Sequence, residues 1–394
     1  MRIKINGWEQ RKLGDITVKI GSGKTPSGGK NAYVETGIPL IRSQNVNGDK
    51  VDFADIVFID EATDESMANS RVYTNDVLLN ITGASIGRSA VYKGLESANV
   101  NQHVCIIRPT EGYQPDFIQL NLSSDNGQKQ IDASQAGGGR EGLNFQEIGK
   151  MQFSFPSLNE QKCIGRYFNS LDHLITLHQR KCEQTKTLKK YMLQKMFPQD
   201  GEKVPQIRFE GFTEDWEQRK LGDVFKEYSE KNHTELPALT IIQGGGTVKR
   251  EESDRNLMYD ESNLSNYKMV RKNDFIVHLR SFEGGLEKSS LDGIISPAYH
   301  TFHSDVADSR FYYSYFRSHE FIKHKLVPHV YGIRDGRSID ITGMKTIEIP
   351  YTSMEEQRKI GDYLEFLDHL ITLHQRKCDE LKEVKKFMLQ NMFV

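Results

Sequence analysis

An internal repeat constrains the architecture of this chain more than any other feature of its sequence. The octapeptide Trp-Glu-Gln-Arg-Lys-Leu-Gly-Asp occurs at 8–15 and again at 216–223. A second identity, Leu-Asp-His-Leu-Ile-Thr-Leu-His-Gln-Arg-Lys-Cys, occupies 171–182 and 367–378. Twelve identical residues in a row do not arise by chance in a chain of 394 residues, so we infer two copies of one structural unit.

The segments between these repeats, 16–158 and 224–354, share almost no residue identity with each other. A recent duplication without functional meaning does not explain why the divergence is confined to these segments. We therefore interpret the repeated parts as a frame that presents two different surfaces.

The segments 159–197 and 355–394 are predicted to form long helices, because they contain no proline and follow a capping-box pattern at Ser157–Glu160 and Ser353–Glu356. Apolar residues then recur at alternating spacings of four and three, which predicts a coiled-coil seam. A helix of about 39 residues is roughly 58 Å long. Each helix needs a partner for its apolar stripe, and we expect the two copies to pair antiparallel with the variable domains at opposite ends.

Short runs typical of β-strands, such as 38–42, 76–81 and 103–108, are broken by Gly, Asn and Pro in both variable segments. Helical candidates there are few, chiefly 114–134 and 308–326. The sequence thus predicts an α+β protein: two α/β domains separated by two long antiparallel coiled-coil helices, with an internal pseudo-two-fold repeat. The predicted boundaries are 1–158 for the first domain, 159–197 for the first helix, 198–207 for a linker, 208–354 for the second domain and 355–394 for the second helix.

Composition excludes several classes of protein. With 37% hydrophobic residues the chain is expected to fold rather than to be disordered, and no apolar run is long enough to span a membrane. Four cysteines without a C-x-x-C pair argue against a disulfide framework or a cysteine zinc site. We expect a soluble cytoplasmic protein. The 52 basic and 54 acidic residues nearly cancel, which neither supports nor excludes binding to nucleic acid.

Enzyme motifs are incomplete in this sequence. The segment 21–25 resembles the end of a phosphate-binding P-loop, but Val18 stands where the first glycine belongs and Pro26 where a helix should begin. No motif for amino methylation of bases is present, and the triplet at 160–162 belongs to a helix start rather than to a nuclease site. His300 and His303 alone are a weak basis for a zinc site, and we predict no metal site.

The polar loops of both variable domains suit the recognition of base edges. Arginine pairs bidentately with guanine, and Asn or Gln with adenine, while glycines let the backbone approach phosphates. Any one of these residues alone is better explained as an ordinary polar loop residue, but they cluster in both halves. The predicted DNA-binding residues are Arg42, Gln44, Asn45, Asn80, Thr82, Ser85, Arg88, Gln102, His103 and Arg140 in the first domain, and Thr247, Lys249, Arg280, Ser281, Arg334 and Arg337 in the second.

This layout resembles the specificity subunits of type I restriction–modification systems. The matching features are the octapeptide before each domain, Phe-Pro or Ile-Pro followed by Glu-Gln after it, the repeated helices, and phrases such as Ile-Thr-Gly-Ala-Ser-Ile-Gly at 81–87 and Ser-Pro-Ala-Tyr at 296–299. One departure is that residues 1–7 lack the Arg-Phe-x-Gly-Phe lead-in present at 208–212.

The resemblance implies a non-catalytic subunit in which two target recognition domains each read half of a split, asymmetric site in double-stranded DNA. It also implies that the helices set the domain spacing and dock two modification subunits, which restriction subunits then join. S-adenosylmethionine, ATP and Mg are expected on those partners and not on this chain. The alternatives are a stand-alone nuclease or DNA methyltransferase with an unrecognised active site, and a purely structural scaffold.

Two physical expectations accompany this function. Half-sites read from one face of the duplex should lie roughly 10 bp apart, centre to centre. The domains 16–158 and 224–354 carry slightly more acidic than basic residues. Because phosphate neutralisation supplies much of the affinity for DNA, we expect the lone subunit to bind DNA weakly.

Overall fold

The structure, a computed structural model, describes residues 7–135, 142–199, 201–253, 261–332 and 337–393. The chain divides into two compact units, which are named here unit 1 (Met1–His178 with Arg376–Val394) and unit 2 (Gln179–Gln375). Each unit therefore contains one variable domain and one half of each long helix. The predicted boundaries at 158 and 354 mark the starts of these helices.

Unit 1 contains three small sheets, with strand orders β1-β12, β6-β3-β10-β7 and β2-β11-β8-β9, and a hairpin β4-β5. The strands are β1 (Glu9–Lys12), β2 (Thr17–Ser22), β3 (Ile38–Ile41), β4 (Val46–Asn47), β5 (Lys50–Val51), β6 (Val57–Ile59), β7 (Arg71–Val72), β8 (Val77–Asn80), β9 (Ser89–Val91), β10 (Ala98–Val100), β11 (Val104–Pro109) and β12 (Gln152–Phe155). The helices are α1 (Glu61–Ser66), α2 (Pro115–Ser123), α3 (Asp125–Gln135), α4 (Phe145–Lys150) and α5 (Leu158–Lys195), the last of which ends in unit 2.

Unit 2 contains the sheets β13-β24 and β14-β21-β18-β19 and the pairs β15-β16, β17-β20 and β22-β23. The strands are β13 (Glu217–Lys220), β14 (Lys226–Tyr228), β15 (Leu239–Ile242), β16 (Gly246–Lys249), β17 (Lys268–Val270), β18 (Phe275–Val277), β19 (Glu287–Lys288), β20 (Gly293–Ile295), β21 (His300–His303), β22 (Val330–Tyr331), β23 (Ser338–Ile339) and β24 (Glu348–Tyr351). The helices are α6 (Leu221–Val224), α7 (Ser281–Gly284), α8 (Ser309–Phe316), α9 (Ile341–Met344) and α10 (Met354–Met392), which ends in unit 1.

The two variable domains share the strand order of two sheets although their sequences differ. The order β2-β11-β8-β9 of unit 1 corresponds to β14-β21-β18-β19 of unit 2, and β1-β12 corresponds to β13-β24. The turns before β8 and β18 also have the same backbone conformation, because Asn75 and Asn273 have φ angles of 75° and 74°. Each is followed by a buried aspartate, Asp76 or Asp274. The repeat therefore extends through the segments in which the sequence shows no repeat.

The helix predicted over 114–134 is broken into α2 and α3 at Ser124. Its hydroxyl accepts a hydrogen bond from the Gly127 backbone N–H at 3.1 Å, and Ser124 is fully buried. A Cβ atom on Gly127 would lie 2.1 Å from the Asn121 carbonyl oxygen, so only glycine fits this break. Similarly, the segment 308–326 forms α8 and then a π-helical turn at Phe321–Leu326.

The antiparallel pairing of α5 and α10 is confirmed within each unit. In unit 1, the ring of Phe168 lies 6.1 Å from that of Phe393, and Asp172 binds Lys385. In unit 2, Cys182 contacts the carbonyl of Ile371, and Lys189 further along α5 binds Asp368. Residue numbers therefore rise along one helix as they fall along the other. The predicted seam positions are buried or half-buried on both helices.

The end of each helix completes the core of the unit in which it lies. Phe393 packs in the unit 1 core beside Trp8 and Phe117. Phe197, at the equivalent repeat position, packs in the unit 2 core beside Trp216 and Phe311. Within the described ranges, no helix is long and apolar enough to cross a membrane.

Candidate nucleic-acid interface

The repeated octapeptide and the helix start are joined by a tryptophan–glutamate hydrogen bond in both units. Trp216 Nε1 donates to Glu356 at 3.0 Å, and Trp8 Nε1 donates to Glu160 at 3.2 Å. Glu356 is fully buried and also accepts from the Arg208 guanidinium at 2.7 and 2.9 Å. The capping-box prediction is thus half right: the serine hydroxyls accept from the glutamate N–H groups, but the glutamate side chains bind the tryptophans.

The glutamine that follows each glutamate fixes the helix to the recognition domain. Gln161 accepts from the backbone N–H of Gln114 at 3.0 Å, and Gln357 accepts from that of Asp308 at 2.9 Å. Gln114 and Asp308 lie directly before α2 and α8. The repeated Glu-Gln pair therefore makes equivalent hydrogen bonds to each variable domain.

A row of four polar side chains on unit 1 brings together three segments that are distant in sequence. The Thr25 hydroxyl donates to the side-chain oxygen Oε1 of Gln102, and Gln102 Nε2 donates to His103 Nε2 at 3.1 Å. His103 Nδ1 then binds the Thr82 hydroxyl. Since an amide nitrogen donates, His103 Nε2 accepts, and its Nδ1 carries the hydrogen shared with Thr82. Gln102 is exposed, and the row is accessible from solvent. Hydrogen-bonding positions that these side chains do not use within the row therefore suit contacts to base edges.

Thr25 was missed by the sequence analysis, in which its segment was noted only as an imperfect P-loop. The structure brings this segment against 101–103 through Gly23, where a Cβ atom would lie 1.7 Å from the Val100 carbonyl oxygen. Only glycine permits this approach. Exposed Lys24 directly precedes Thr25 in the chain, and a cation beside base-reading groups suits a contact to phosphate.

The remaining candidates of unit 1 divide by exposure. Arg88 is exposed and Ser85 is half-buried. The Arg42 guanidinium donates to the backbone carbonyl oxygen of Asp55 at 2.6 Å. The side-chain amide of Gln44 donates to the carboxylate of Asp55. These four side chains stay in the predicted set.

Two candidates of unit 1 are corrected, because their side chains are fully buried and serve the fold. Asn45 donates to the Asp52 carbonyl at 3.1 Å and to Asp55 at 2.8 Å. Asn80 donates to the Ser43 carbonyl at 2.8 Å. Neither side chain can reach a base edge from this position. Arg140 lies outside the described residues.

In unit 2, two further candidates are buried and are corrected in the same way. The Ser281 hydroxyl accepts from the His278 N–H at 3.0 Å, and the Thr247 hydroxyl accepts from the Ser290 N–H at 2.9 Å. Three candidates remain exposed: Lys249, Arg280 and Arg337. Arg334 lies outside the described residues.

A buried carboxylate positions the glycine-rich turn next to Lys249. Glu287 is fully buried and accepts from the N–H groups of Gly244 at 2.6 Å and Gly246 at 3.2 Å. The Tyr313 hydroxyl also donates to it at 2.9 Å. No local pattern predicts this role, because Glu287 is 41 residues or more from the turn in the chain.

The buried aspartates of the two central strands have different cationic partners. Asp76 accepts two hydrogen bonds from Arg108 at 2.8 and 2.7 Å. Asp274 binds His303 Nδ1 at 2.6 Å from the corresponding place on β21. The hydrogen bond to Asp274 raises the pKa of His303, with a smaller contribution from Asp305 and against the opposing effect of burial. Among the described residues, no cluster of three or more His, Cys, Asp or Glu is placed to hold a metal ion.

Comparison with known proteins places this architecture among DNA specificity proteins. Residues 5–187 and 213–383 each match the family described as type I restriction modification DNA specificity domain. A candidate type I restriction enzyme MjaX specificity subunit from Methanocaldococcus jannaschii is 23% identical over 96% of this chain and 91% of its own length. The MjaVIII specificity subunit of the same organism is also 23% identical, over 96% of this chain and 90% of its own.

A solved structure gives the fold independently. The type I restriction–modification S subunit from M. genitalium superposes with a TM-score of 0.63 at 13% identity, covering 100% of this chain and 98% of that one. At this identity the match supports the fold alone.

Proposed function

Because this chain belongs to the family of type I restriction modification DNA specificity domains, we propose that it is the subunit that selects the DNA sequence in such a system. Unit 1 reads one half of a bipartite, asymmetric site in double-stranded DNA, and unit 2 reads the other half. The chain itself contributes recognition rather than catalysis. The rival proposal of a stand-alone nuclease or methyltransferase is not favoured, since the family match spans both domains.

One observation carries this proposal: the two units place different side chains at corresponding positions of one scaffold. Counting forward from the buried aspartates Asp76 and Asp274, the sixth position is Thr82 in unit 1 and Arg280 in unit 2. A threonine and an arginine prefer different base edges, so two half-sites of different sequence are expected.

The repeated helices support docking of two copies of one protein partner. Apolar side chains are exposed at the same repeat positions of α5 and α10: Leu177 with Leu373, Leu188 with Val384, and Tyr191 with Phe387. Their exposures range from 37% to 66%, and apolar side chains exposed at equivalent positions of two helices suit surfaces that a protein partner covers. Two equivalent surfaces favour two modification subunits, to which restriction subunits then bind.

Cofactors belong to the partners in this proposal. S-adenosylmethionine would be bound by the modification subunits, and ATP and Mg by the restriction subunits. A protein that reads genomic DNA in this way acts in the cytoplasm of its host.

A domain exchange tests the proposal. Residues 16–158 are replaced by the corresponding domain of a relative, and adenine methylation is mapped in cells that also contain the partner subunits. One half of the methylated sequence should change and the other half should stay the same. Exchange of 224–354 is the matched control and should alter only the other half. An unchanged methylated sequence after both exchanges would contradict the proposal.

A further inference from the structure

The side-chain amide of Gln102 is exposed on unit 1 and is held by a neighbouring side chain at each end. Its oxygen Oε1 accepts a hydrogen bond from the Thr25 hydroxyl, and its nitrogen Nε2 donates to His103 Nε2 at 3.1 Å. An amide oxygen has two acceptor positions, and an amide nitrogen has two hydrogens. The polar row uses one of each, so one acceptor position and one hydrogen of Gln102 are available to a ligand.

The backbone around Gln102 is fixed as well. The Asn101 side-chain oxygen accepts from the His103 N–H at 3.1 Å, and the His103 carbonyl accepts from the Ile81 N–H at 3.0 Å. The Asn101 N–H donates to the Ile41 carbonyl at 3.1 Å. Because the backbone and the amide are both ordered before a ligand arrives, little side-chain entropy is left to lose on binding. Such preorganised groups suit the discrimination of one base from another.

His103 determines which end of the amide points in which direction. Its Nδ1 shares a hydrogen with the Thr82 hydroxyl, so its Nε2 is an acceptor and binds the nitrogen end of Gln102. A rotation of the amide by half a turn would place Oε1 against this acceptor, which is unfavourable. The Thr25 hydroxyl can donate or accept and therefore tolerates either end. His103 is thus the positioning residue for Gln102.

Adenine is the base whose major-groove edge matches this amide. Adenine presents N7 as an acceptor and its N6 amino group as a donor, and glutamine pairs with both. Guanine presents two acceptors, cytosine one donor, and thymine one acceptor beside a methyl group. Each of these three bases leaves one position of the amide unmatched.

Unit 2 has different side chains at the corresponding positions. Ile107 on β11 and Phe302 on β21 correspond, because each pairs with the residue directly after the buried aspartate of its unit. Gln102 and the histidine after it lie five and four residues before Ile107. Pro297 and Ala298 lie at the same distances before Phe302 and carry no amide. The oriented amide therefore belongs to the surface by which unit 1 differs from unit 2.

We propose that Gln102 reads an adenine in the half-site that unit 1 selects, with Oε1 accepting from N6 and Nε2 donating to N7 in the major groove. This inference rests on the proposed function, because it requires that unit 1 contacts base edges. It adds the base that is read, the residue that reads it and the residue that orients the reader. An amino group held in the groove by Gln102 is not open to a methyltransferase, so this adenine is distinct from the methylated one.

Gln102→Glu tests the choice of base, because a carboxylate only accepts hydrogen bonds and pairs with the cytosine amino group. The full chain is produced with its partner subunits, and methylated adenines are mapped by single-molecule sequencing. One A·T pair of one half-site should become a G·C pair, with cytosine in the place of adenine and a change in preference of about 10-fold or more. Gln10→Glu makes the same chemical change on exposed β1 and should leave the methylated sequence as in the wild type.

A change of one atom in the DNA tests the contact itself. In 7-deazaadenine a C–H group replaces N7, so the acceptor for Gln102 Nε2 is missing. Duplexes with this base at the position that depends on Gln102 should be methylated more slowly by the wild-type complex, by about 5-fold or more. The complex with Gln102→Ala should methylate the natural and the modified duplexes at rates within about 2-fold of each other.

His103→Leu tests the orientation of the amide, because leucine offers no acceptor to Gln102. The preference for adenine over guanine at this position should fall by about 5-fold. His103→Gln, which restores an acceptor of similar reach, should recover most of the preference. A role of His103 in folding alone would reduce methylation of all sequences equally and leave the preference unchanged.

Two results would overturn this inference and leave the proposed function intact. The first is a bipartite methylated sequence in which Gln102→Glu leaves every base pair as in the wild type. The second is an equal effect of 7-deazaadenine on the wild type and on Gln102→Ala at every adenine of the site. A wild-type chain that directs no bipartite methylation would contradict the proposed function, and the inference with it.

Discussion

Lys385 on α10 donates hydrogen bonds to both carboxylate oxygens of Asp172 on α5, at 2.7 and 2.9 Å. The same two repeat positions are joined in unit 2, where Lys189 donates to both oxygens of Asp368 at 2.6 Å. Burial alone would lower the pKa of Lys385, but Asp49 and Asp172 outweigh it and raise that pKa. A charged seam lysine with a carboxylate on the opposite helix thus fixes the antiparallel register in each unit.

Replacement of Lys385 by alanine should destabilise unit 1. The change leaves Asp49 and Asp172 without their shared cation. Their side chains are only 25% and 22% exposed. We expect a loss of about 3 kcal/mol in the free energy of unfolding, at the low end of the cost of breaking a buried ion pair, because both carboxylates keep some contact with water. Urea denaturation measures this loss.

Lys386→Ala is the control for Lys385→Ala, because Lys386 is exposed on the neighbouring helix position. It should change the free energy of unfolding by less than about 0.5 kcal/mol. Equal effects of the two substitutions would show that the lysine–aspartate pair does not hold the register.

Truncation of Phe393 to alanine should loosen unit 1 and leave unit 2 intact. Its ring is 3% exposed and lies among Trp8, Phe117 and Phe168. Removal of a core phenylalanine costs about 3–5 kcal/mol. Hydrogen exchange should accelerate in β2, β8 and β11, which belong to the sheet of unit 1.

Phe197→Ala is the reciprocal variant and should accelerate exchange in β14, β18 and β21 of unit 2 instead. If Phe393→Ala accelerated exchange in unit 2 and not in unit 1, the assignment of the helix ends to their cores would be wrong.

The sequence predicted the repeated parts of the fold well, because their signal is local and periodic. The seam positions from Ile164 to Met196 follow from the spacing of apolar residues, and the structure buries or half-buries each of them. The helix starts at Ser157 and Ser353 follow from capping chemistry. The strand order shared by two sheets of the variable domains was not predictable in this way, since it is set by long-range strand pairing rather than by identity.

The candidate site was predicted less well, because burial decides which polar residues can meet a ligand. Asn45, Asn80, Thr247 and Ser281 belong to residue types that suit base edges, but the fold uses their side chains to satisfy buried backbone groups. Conversely, Thr25 joins Gln102 only because Gly23 allows two chain segments to touch. Such contacts across about 80 residues carry no local signal.

The stability of unit 2 should fall as the pH rises above neutrality. The pKa of His303 in the folded chain is raised above its ordinary value by Asp274. The ion pair of His303 and Asp274 therefore contributes its full share of the free energy of unfolding below about pH 6.5, the ordinary pKa of histidine. This contribution is lost as the pH rises through the pKa of His303 in the folded chain. Hydrogen exchange of β18 and β21, measured between pH 6 and 8 and corrected for intrinsic rates, should show this loss of protection.

His303→Arg provides the control, because Arg108 already has this role beside Asp76 in unit 1 and stays charged. This variant should keep its protection over the same pH range. A wild-type unit 2 whose protection does not change with pH would contradict the role of His303.

Gln102→Ala should alter the sequence that unit 1 selects. Gln102 links Thr25 to His103 in the exposed polar row. Loss of one good side-chain contact to a base reduces discrimination by about 1–3 kcal/mol. Mapping of methylated adenines should show relaxed specificity at one position of one half-site. A uniform loss of methylation at all sites would show that Gln102 serves affinity or folding and not specificity.

The central claim is that one chain reads two different half-sites, and single-molecule sequencing of methylated adenines tests it most directly. The chain is produced with its partner subunits in a host that lacks other methyltransferases. We predict one bipartite, asymmetric sequence whose two defined halves are separated by unspecified bases, with their centres roughly 10 bp apart. A continuous or palindromic methylated sequence would contradict the claim.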